Sequence, residues 1–255
     1  MVTAEVDAHA PHASRGERMA RVRVAGVDGC PGGWVAAVVD DDGYGARQRV
    51  TLRLVTAAEL PRLGERVGVD IPMGLPDGAQ RRTADAAARA LLPGRRGASV
   101  FGVPVRAVLA ADGYAQACEL SRTATGRALS RQSWFLVSKI REVDDVLAAG
   151  GCDHVGEVHP EVAFVLMARD GGRPTALPSK KSPDGTMARQ ALLTEWLGID
   201  VGALVRTAPR PARVDDALDA LACAWSAQRW ARGTAVVLGD PDARDARGLP
   251  LVIRA

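Results

Sequence analysis

The segment VRVAGVDGCPGGW, residues 22–34, decides the fold of this chain. Its first seven residues form a mostly apolar, β-branched run that ends at Asp28, which is typical of a buried central strand. The glycines and the proline that follow predict a tight turn into a second strand at residues 34–39. A further turn over residues 40–45 leads to a third strand at residues 49–55. The sequence therefore predicts an antiparallel meander of three strands.

The rest of the chain alternates helical and extended patterns. Residues 56–63 predict a short crossover helix, and residues 66–71 predict a fourth strand that runs parallel to the first. Residues 155–159 predict a fifth strand. Periodic apolar residues predict further helices, and two C-terminal runs predict short strands. The predicted helices cover residues 79–92, 104–123, 130–149, 161–168, 188–197 and 214–230, and the short strands cover residues 234–238 and 249–253.

These elements describe one α/β domain over residues 21–255. Its core is a mixed five-stranded sheet flanked by helices, with a large, arginine-rich helical insertion at about residues 72–151. A chain of 255 residues with 47% hydrophobic content can bury a full core. Residues 1–20 lack the apolar centre of a signal peptide and predict a disordered tail.

Composition excludes several classes of protein. No apolar stretch reaches the roughly 20 residues that a bilayer span requires, so we expect no membrane association. The four cysteines form no C-x-x-C pair, which argues against a zinc site or a disulfide framework and favours reduced thiols in the cytoplasm. The net charge of +3 comes almost wholly from arginine. This charge alone is weak evidence for a nucleic-acid partner, because the arginine, alanine and glycine usage is typical of a GC-rich genome.

Carboxylates stand where predicted segments end or begin. Asp28 and Asp70 close two predicted strands, at the sheet edge where α/β proteins place their sites. Asp215, Asp216 and Asp219 share one side of the last predicted helix, because residues three or four apart are neighbours on a helix. Such a cluster is typical of a divalent-metal site for phosphodiester or phosphoryl chemistry. Simple capping of turns and of the helix start is the structural alternative.

Glu157, in the predicted fifth strand, is a further candidate ligand for the metal. Glu161 is expected to start the following helix, and His159 to make a local hydrogen bond. The hard oxygen donors favour Mg²⁺ or Mn²⁺ over zinc.

Basic residues form a second group that points to a polyanionic ligand. Arg95, Arg96, Lys139 and Arg141 lie in the predicted insertion, and Lys180-Lys181 provides two of only three lysines. Basic side chains near a metal site commonly position phosphates, although solvated surface charge is the plain alternative. The local aromatic residues that could stack single-stranded bases are few, and any of them could instead belong to the core: Phe101, Tyr114, Trp134 and Phe135.

The order strand–Asp28, hairpin, strand–Asp70 and late helix with Asp216 and Asp219 resembles the ribonuclease H-like superfamily, especially the Holliday-junction resolvases. More closely, the chain resembles the bacterial and archaeal family of domain of unknown function 429, a predicted RNase H-like nuclease. The segments that carry this resemblance run from GVDGCPGGW at residue 26 through VDIPMGL, SVFGVPVR, KIREVD, EVHPE and SKK to DDALDAL at residue 215.

The superfamily resemblance implies two-metal hydrolysis of phosphodiester bonds. Asp28 would bridge two Mg²⁺ or Mn²⁺ ions about 4 Å apart. Asp70 and Asp219 would each help to hold one ion, and Asp216 or Glu157 would complete the shell. The expected partner is DNA, RNA or a nucleotide. The insertion is far longer than in small RNase H domains, so access of the substrate differs from theirs.

Two other readings of the sequence stay open. In an actin-like phosphotransferase, Asp28 and the turn at residues 29–33 would hold the phosphates of ATP, together with a late glycine-rich turn for which Gly239-Asp240 is a poor candidate. A non-catalytic module of the same fold would instead bind a metabolite or a protein. A junction-cutting enzyme would work as a homodimer that places two symmetric cuts.

Overall fold

A computed structural model of the protein describes residues 21–41 and 48–255, with every side chain except that of Arg95. The predicted disordered tail, residues 1–20, lies outside the described residues, as does most of the predicted turn at residues 40–45.

Five strands of the described residues form the central sheet. They are β1 (Val22–Cys30), β2 (Gly33–Asp41), β3 (Arg49–Val55), β4 (Arg66–Val69) and β5 (Val155–Glu157). Their order is β3-β2-β1-β4-β5. The pairs β1–β2 and β2–β3 are antiparallel, whereas β1–β4 and β4–β5 are parallel. The predicted mixed sheet is therefore confirmed, and its arrangement is consistent with an RNase H-like fold.

The hairpin between β1 and β2 is tighter than the sequence predicts. Asp28 and Gly29 already belong to the ladder, opposite Val35 and Trp34, and only Pro31 and Gly32 form the turn. Gly32 has a φ of 76°, which a residue without a Cβ adopts at little cost. Asp28 consequently lies on a hydrogen-bonded strand, which fixes the direction in which its side chain leaves the backbone.

Seven α-helices flank the sheet in the described part of the chain. They are α1 (Thr83–Leu91), α2 (Tyr114–Thr125), α3 (Arg131–Ala148), α4 (Pro160–Asp170), α5 (Pro183–Leu197), α6 (Val201–Val205) and α7 (Val214–Ala231). Three 3-10 helices and two short strands complete the described elements. The 3-10 helices are Ala57–Arg62, Gly94–Ser99 and Arg106–Ala110, and the strands β6 (Val237–Leu238) and β7 (Ile253–Arg254) pair with each other.

One predicted helix is wrong in its extent. The sequence predicts a single helix over residues 104–123, whereas the structure has the 3-10 helix Arg106–Ala110 and then α2. The helix breaks at Asp112 and Gly113, both of which favour non-helical backbone, and Gly113 caps α2 with an extended φ of −158°.

Both faces of the sheet are buried. Val24, Val35 and Val39 point into a large core with α4, α5 and α7, while Val27 and Trp34 point into a second core with α3. This alternation follows the two-residue period of a strand. Along the chain, α1, α2 and α3 all follow β4 and precede β5, in the region of the expected insertion. None of the helices in the described ranges combines the length and the apolar composition that crossing a membrane requires.

Candidate active site

Three of the predicted aspartates line one cavity. Asp28 lies near the end of β1, Asp70 directly follows β4, and Asp219 lies in the second turn of α7. The cavity has a volume of about 340 Å³ and opens at the carboxyl ends of the parallel strands. We call it the acid cavity. Carboxylates from separate parts of the chain therefore meet at the sheet edge where α/β proteins bind ligands.

Close packing of α7 on the sheet brings these aspartates together. A Cβ on Gly26 of β1 would lie 2.0 Å from the Ala224 nitrogen and 2.1 Å from the Ala220 oxygen. A Cβ on Gly68 of β4 would lie 2.8 Å from the Cys223 oxygen. Glycine on two neighbouring strands thus lets the helix backbone approach the sheet directly over residues 220–224, which immediately follow Asp219.

The three carboxylates resist ionisation. Burial, followed by the charges of Asp70 and Asp219, raises the pKa of Asp28 well above its ordinary value. Burial raises the pKa of Asp70 to about 7 and that of Asp219 to about 6, although the charge of Lys180 opposes both shifts. Perturbed acids in a cavity are a recurrent feature of functional sites.

Lys180 supplies a positive charge to this cluster. Its Nζ donates to Asp219 Oδ2 at 2.7 Å, and its side chain keeps 43% exposure on the solvent side. Burial lowers the pKa of Lys180, but the charge and hydrogen bond of Asp219, together with the charges of Asp70 and Asp28, outweigh this and the net shift is upward. The loop that carries Lys180 packs against Gly185 of α5, where a Cβ would lie 1.8 Å from the Ser179 oxygen.

Lys139 approaches the cavity from α3. Its Nζ donates to the Gly33 oxygen at 2.5 Å and lies 4.4 Å from the centre of the Trp34 ring. The stem of Lys139 runs along Gly29, where an added Cβ would meet it at 3.1 Å. The β1–β2 turn and α3 thus fix the side chain of Lys139 beside Gly29, where the residue lines both the acid cavity and a neighbouring cavity that Gly33 and Trp34 border.

The other predicted acids either lie outside the acid cavity or are bound to other partners. Asp215 is exposed and does not line the acid cavity. Asp216 Oδ2 accepts a hydrogen bond of 2.8 Å from the Arg213 nitrogen, so this residue caps α7. Asp216 still contributes to the charge around Asp28. Glu157 borders the cavity but is bound by Arg82 at 2.6 Å and by the Met73 nitrogen at 2.7 Å.

Of the remaining predicted phosphate-binding residues, none in the described set lines the acid cavity. Arg141 donates to the Ala111 oxygen, Lys181 is exposed, and Arg96 is bound to Glu161. The side chain of Arg95 lies outside the description. Lys139 and Lys180 are therefore the two predicted cationic residues that line the acid cavity, and Lys180 contacts one of its carboxylates.

Glu161 also lines the acid cavity, whereas the sequence predicts only that it starts a helix. It lies in the first turn of α4, and its carboxylate accepts from Arg189 at 2.7 Å and from Arg96 at 2.7 Å. Both arginines also donate to the Pro178 oxygen, which ties the Lys180 loop to α4. The side chain of Arg189 is almost fully buried. A buried arginine requires an anionic partner, so this residue of α5 was the available indication that a carboxylate such as Glu161 lies opposite.

His159 is the second such residue. It occupies the N-cap position of α4 and lines the cavity, and its Nε2 lies 3.5 Å from the Ser99 oxygen. Its Nδ1 is buried and has no hydrogen-bond partner within the described part of the chain. Burial lowers the pKa of His159, which favours the neutral ring.

The donor atoms suit a hard divalent cation, because carboxylate oxygens are what Mg²⁺ and Mn²⁺ prefer. As the side chains stand, no group of three or more His, Cys, Asp or Glu residues in ranges 21–41 and 48–255 is arranged to hold a metal ion. Lys180 instead provides the cation that Asp219 contacts. The carboxylate donors thus suit a metal ion chemically. In the arrangement that the structure shows, the ammonium group of Lys180 compensates the charge of Asp219.

The turn that an actin-like phosphotransferase would need late in the chain lies away from this site. A Cβ on Gly239 would lie 3.0 Å from Ala84 of α1, and Asp240 borders a different cavity. Neither residue lines the acid cavity.

A comparison of the chain with curated proteins finds no match, and a comparison with solved structures finds none either. The family model described as "Protein of unknown function (DUF429)" matches residues 26–244, which include all three aspartates of the acid cavity, both lysines, Glu161 and His159. This match extends over most of the chain, and we conclude that the protein belongs to the DUF429 family.

Proposed function

We propose that this protein is a divalent-metal-dependent phosphodiesterase that acts on nucleic acid or nucleotides. One observation carries the proposal: Asp28, Asp70 and Asp219 reach the same cavity from two parallel strands and a helix. Asp219 is buried, and Asp28 and Asp70 are half-buried. Carboxylates that repel one another away from water are unfavourable in a protein unless a cation or a proton compensates them. A site that keeps three of them is organised around positive charge.

Asp28, Asp70 and Asp219 would hold Mg²⁺ or Mn²⁺, with two ions as the expected number. When bound, such ions supply Lewis-acid activation of water and stabilise charge on phosphoryl oxygens. Asp28 is suited to the central position because its pKa responds to both Asp70 and Asp219. Its Oδ1 is oriented by a hydrogen bond of 2.8 Å from the Gly29 nitrogen.

Lys180 and Lys139 would bind the phosphate of the substrate. Both lysines line the acid cavity. The Lys180 ammonium group contacts Asp219, and the Lys139 ammonium group contacts the Gly33 oxygen in the β1–β2 hairpin. Each is a compact charge with several donors, which is a common means of positioning a phosphate. Lys180 would release Asp219 when the carboxylates bind cations, and its exposed side would then face the incoming phosphate.

The experiment is a calorimetric titration of Mn²⁺ and Mg²⁺ into the wild type, Asp28→Asn and Asp215→Asn. Asparagine keeps the oxygen that accepts from Gly29 while it removes the charge of Asp28. Asp215 is the matched control, because it belongs to the same predicted acid group and lies outside the cavity. We expect Asp28→Asn to abolish metal binding with an unchanged fold, and Asp215→Asn to bind as the wild type does.

The same three proteins are incubated with labelled single-stranded and duplex DNA, RNA, a branched junction and a dinucleotide. We expect metal-dependent cleavage of at least one substrate by the wild type and by Asp215→Asn, and none by Asp28→Asn. A wild type that binds neither ion and cleaves no substrate would overturn the proposal and leave a non-catalytic binding module.

A further inference from the structure

Two exposed aromatic rings stand at the mouth of the acid cavity. The structure separates the four aromatic residues of the insertion into two pairs. Tyr114 and Trp134 pack against each other, with ring centres 6.1 Å apart, in a small core with α2. Phe101 and Phe135 both line the acid cavity and keep 39% and 71% exposure. A phenylalanine with 71% exposure gains little from burial in this fold.

The two rings belong to segments that are tied together. Phe135 lies in the second turn of α3, and the Ser133 hydroxyl of the same helix donates to the Gly102 oxygen at 2.7 Å. Arg89 holds the other side of the Phe101 segment, because it donates to the Val100 oxygen at 2.8 Å. Both rings are therefore presented by anchored backbone rather than by loose loops.

The rings also stand beside positive charge. Phe135 and Lys139 are four residues apart on α3, so they share one helix face, and both line the acid cavity. Across residues 102–104, which border both spaces, lies a second cavity of about 580 Å³ that includes Arg81, Arg89 and Arg127. Apolar rings flanked by cations match a ligand that combines flat bases with phosphates.

We infer that Phe101 and Phe135 stack an unpaired base, and that the protein acts on single-stranded nucleic acid. This inference rests on the proposed function, because the acid cavity between the rings and the sheet would receive the adjacent phosphate. A ring can stack only on a base face that is free, whereas neighbours cover both faces inside a duplex. The volume of about 340 Å³ also falls in the range of sites for one small ligand, such as a single nucleotide unit.

The test measures binding of labelled oligonucleotides by fluorescence anisotropy, in EDTA and in Mg²⁺. The probes are one single-stranded DNA, the RNA of the same sequence and the corresponding DNA duplex. The variants are Phe135→Ala, Phe135→Leu and Phe135→Trp. Met187→Ala is the control, because Met187 is 65% exposed and lies outside the acid cavity. Thermal melting verifies that each variant folds.

We expect the wild type to bind the single strands more tightly than the duplex. Phe135→Ala and Phe135→Leu should weaken this binding roughly 5- to 100-fold, the range for losing one stacked base. Phe135→Trp should retain it, with a tryptophan fluorescence that the oligonucleotide quenches, and Met187→Ala should bind as the wild type does. The DNA and RNA probes distinguish the two sources of an unpaired base.

Equal binding of duplex and single strand, no binding at all, or an unchanged affinity of Phe135→Ala would overturn the inference. Cleavage is scored separately on the same samples. Stacking without any metal-dependent cleavage would retain the base-stacking site and remove the proposed hydrolysis. If the protein cleaves a duplex and Phe135→Ala leaves this cleavage unchanged, the proposed hydrolysis stands and the base-stacking site does not.

Discussion

Glu157 shows how a single buried partner changes the role of a residue. The sequence places this glutamate among the candidate metal ligands. In the structure its Oε2 accepts from Arg82 Nη2 at 2.6 Å and from the Met73 nitrogen at 2.7 Å, and the Arg82 side chain is fully buried. We therefore interpret Glu157 as the anion that neutralises a buried arginine.

Replacing Glu157 by glutamine tests this interpretation at the residue scale. Glu157→Gln leaves Arg82 as a buried charge that lacks its closest anion, which should lower the free energy of unfolding by about 3–5 kcal/mol. The measurement is urea denaturation. Glu195→Gln is the control, because Glu195 binds Arg173 at the same 2.6 Å with both side chains about half exposed. An exposed pair contributes only about 0–1 kcal/mol. A stable Glu157→Gln variant with lost metal binding would instead make Glu157 a ligand.

At the scale of the element, the packing of α7 on β1 and β4 decides where the carboxylates meet. The helix is rich in alanine where it faces the sheet, and Gly26 and Gly68 remove the side chains that would separate the two backbones. Asp219 follows the first turn of this helix and inherits its position from that contact. Small residues on the helix and on the strands thus allow the close packing that positions Asp219.

We predict that Gly26→Ala destabilises the protein by about 3 kcal/mol or more, because its Cβ would overlap the backbone at Ala220 and Ala224 and force α7 outwards. The same shift should separate Asp219 from Asp28 and weaken metal binding in any fraction that folds. Denaturation and calorimetry measure the two effects.

Gly113→Ala is the control for this prediction, since a Cβ there meets no atom within 4 Å and the backbone is extended. Its expected cost is below about 1 kcal/mol. A Gly26→Ala variant as stable as Gly113→Ala would show that α7 does not depend on this close approach.

At the scale of the whole molecule, the acid cavity makes the folded state less stable near neutral pH. Folded Asp70 and Asp219 titrate at about 7 and about 6, whereas exposed aspartates in the unfolded chain titrate near 3.9. Between these values the folded protein holds more protons than the unfolded chain does. The contribution of these two carboxyls to stability should therefore fall as the pH rises from about 4 to about 7, and then level off.

Asp70→Asn should remove much of this dependence. At pH 8 we expect the variant to be more stable than the wild type by on the order of 1–3 kcal/mol, because it no longer buries an ionised carboxylate. At pH 5 the carboxyl is protonated in the folded wild type but largely ionised in the unfolded chain, so the difference should shrink to roughly a third, and it should nearly vanish only near pH 3. Melting temperatures over this range measure the effect, at about 2–4 °C per kcal/mol for a domain of this size.

Asp40→Asn is the control for the pH effect, because the hydrogen bond and charge of Arg23 lower the pKa of Asp40. Loss of that carboxylate cannot stabilise the protein as the pH rises. Equal effects of Asp70→Asn at pH 5 and pH 8 would show that Asp70 ionises as freely in the folded protein as in the unfolded chain.

The sequence by itself determined the sheet and the positions of the main carboxylates. Alternation and turn residues located all five strands, with β3 predicted at its observed bounds, because these signals act over a few neighbouring residues. Strand ends and helix spacing likewise pointed to Asp28, Asp70 and Asp219. Local rules fail where a break is subtle, as at Asp112 and Gly113.

Only the tertiary structure decided the partners of those carboxylates. Lys180 meets Asp219 across 39 residues, Arg82 meets Glu157 across 75, and Arg189 meets Glu161 across 28. The tertiary structure also left Phe135 exposed while it buried most of Trp134 and Tyr114 against each other. Such pairings depend on how helices and loops pack in space, and no local period or propensity in a single sequence encodes them.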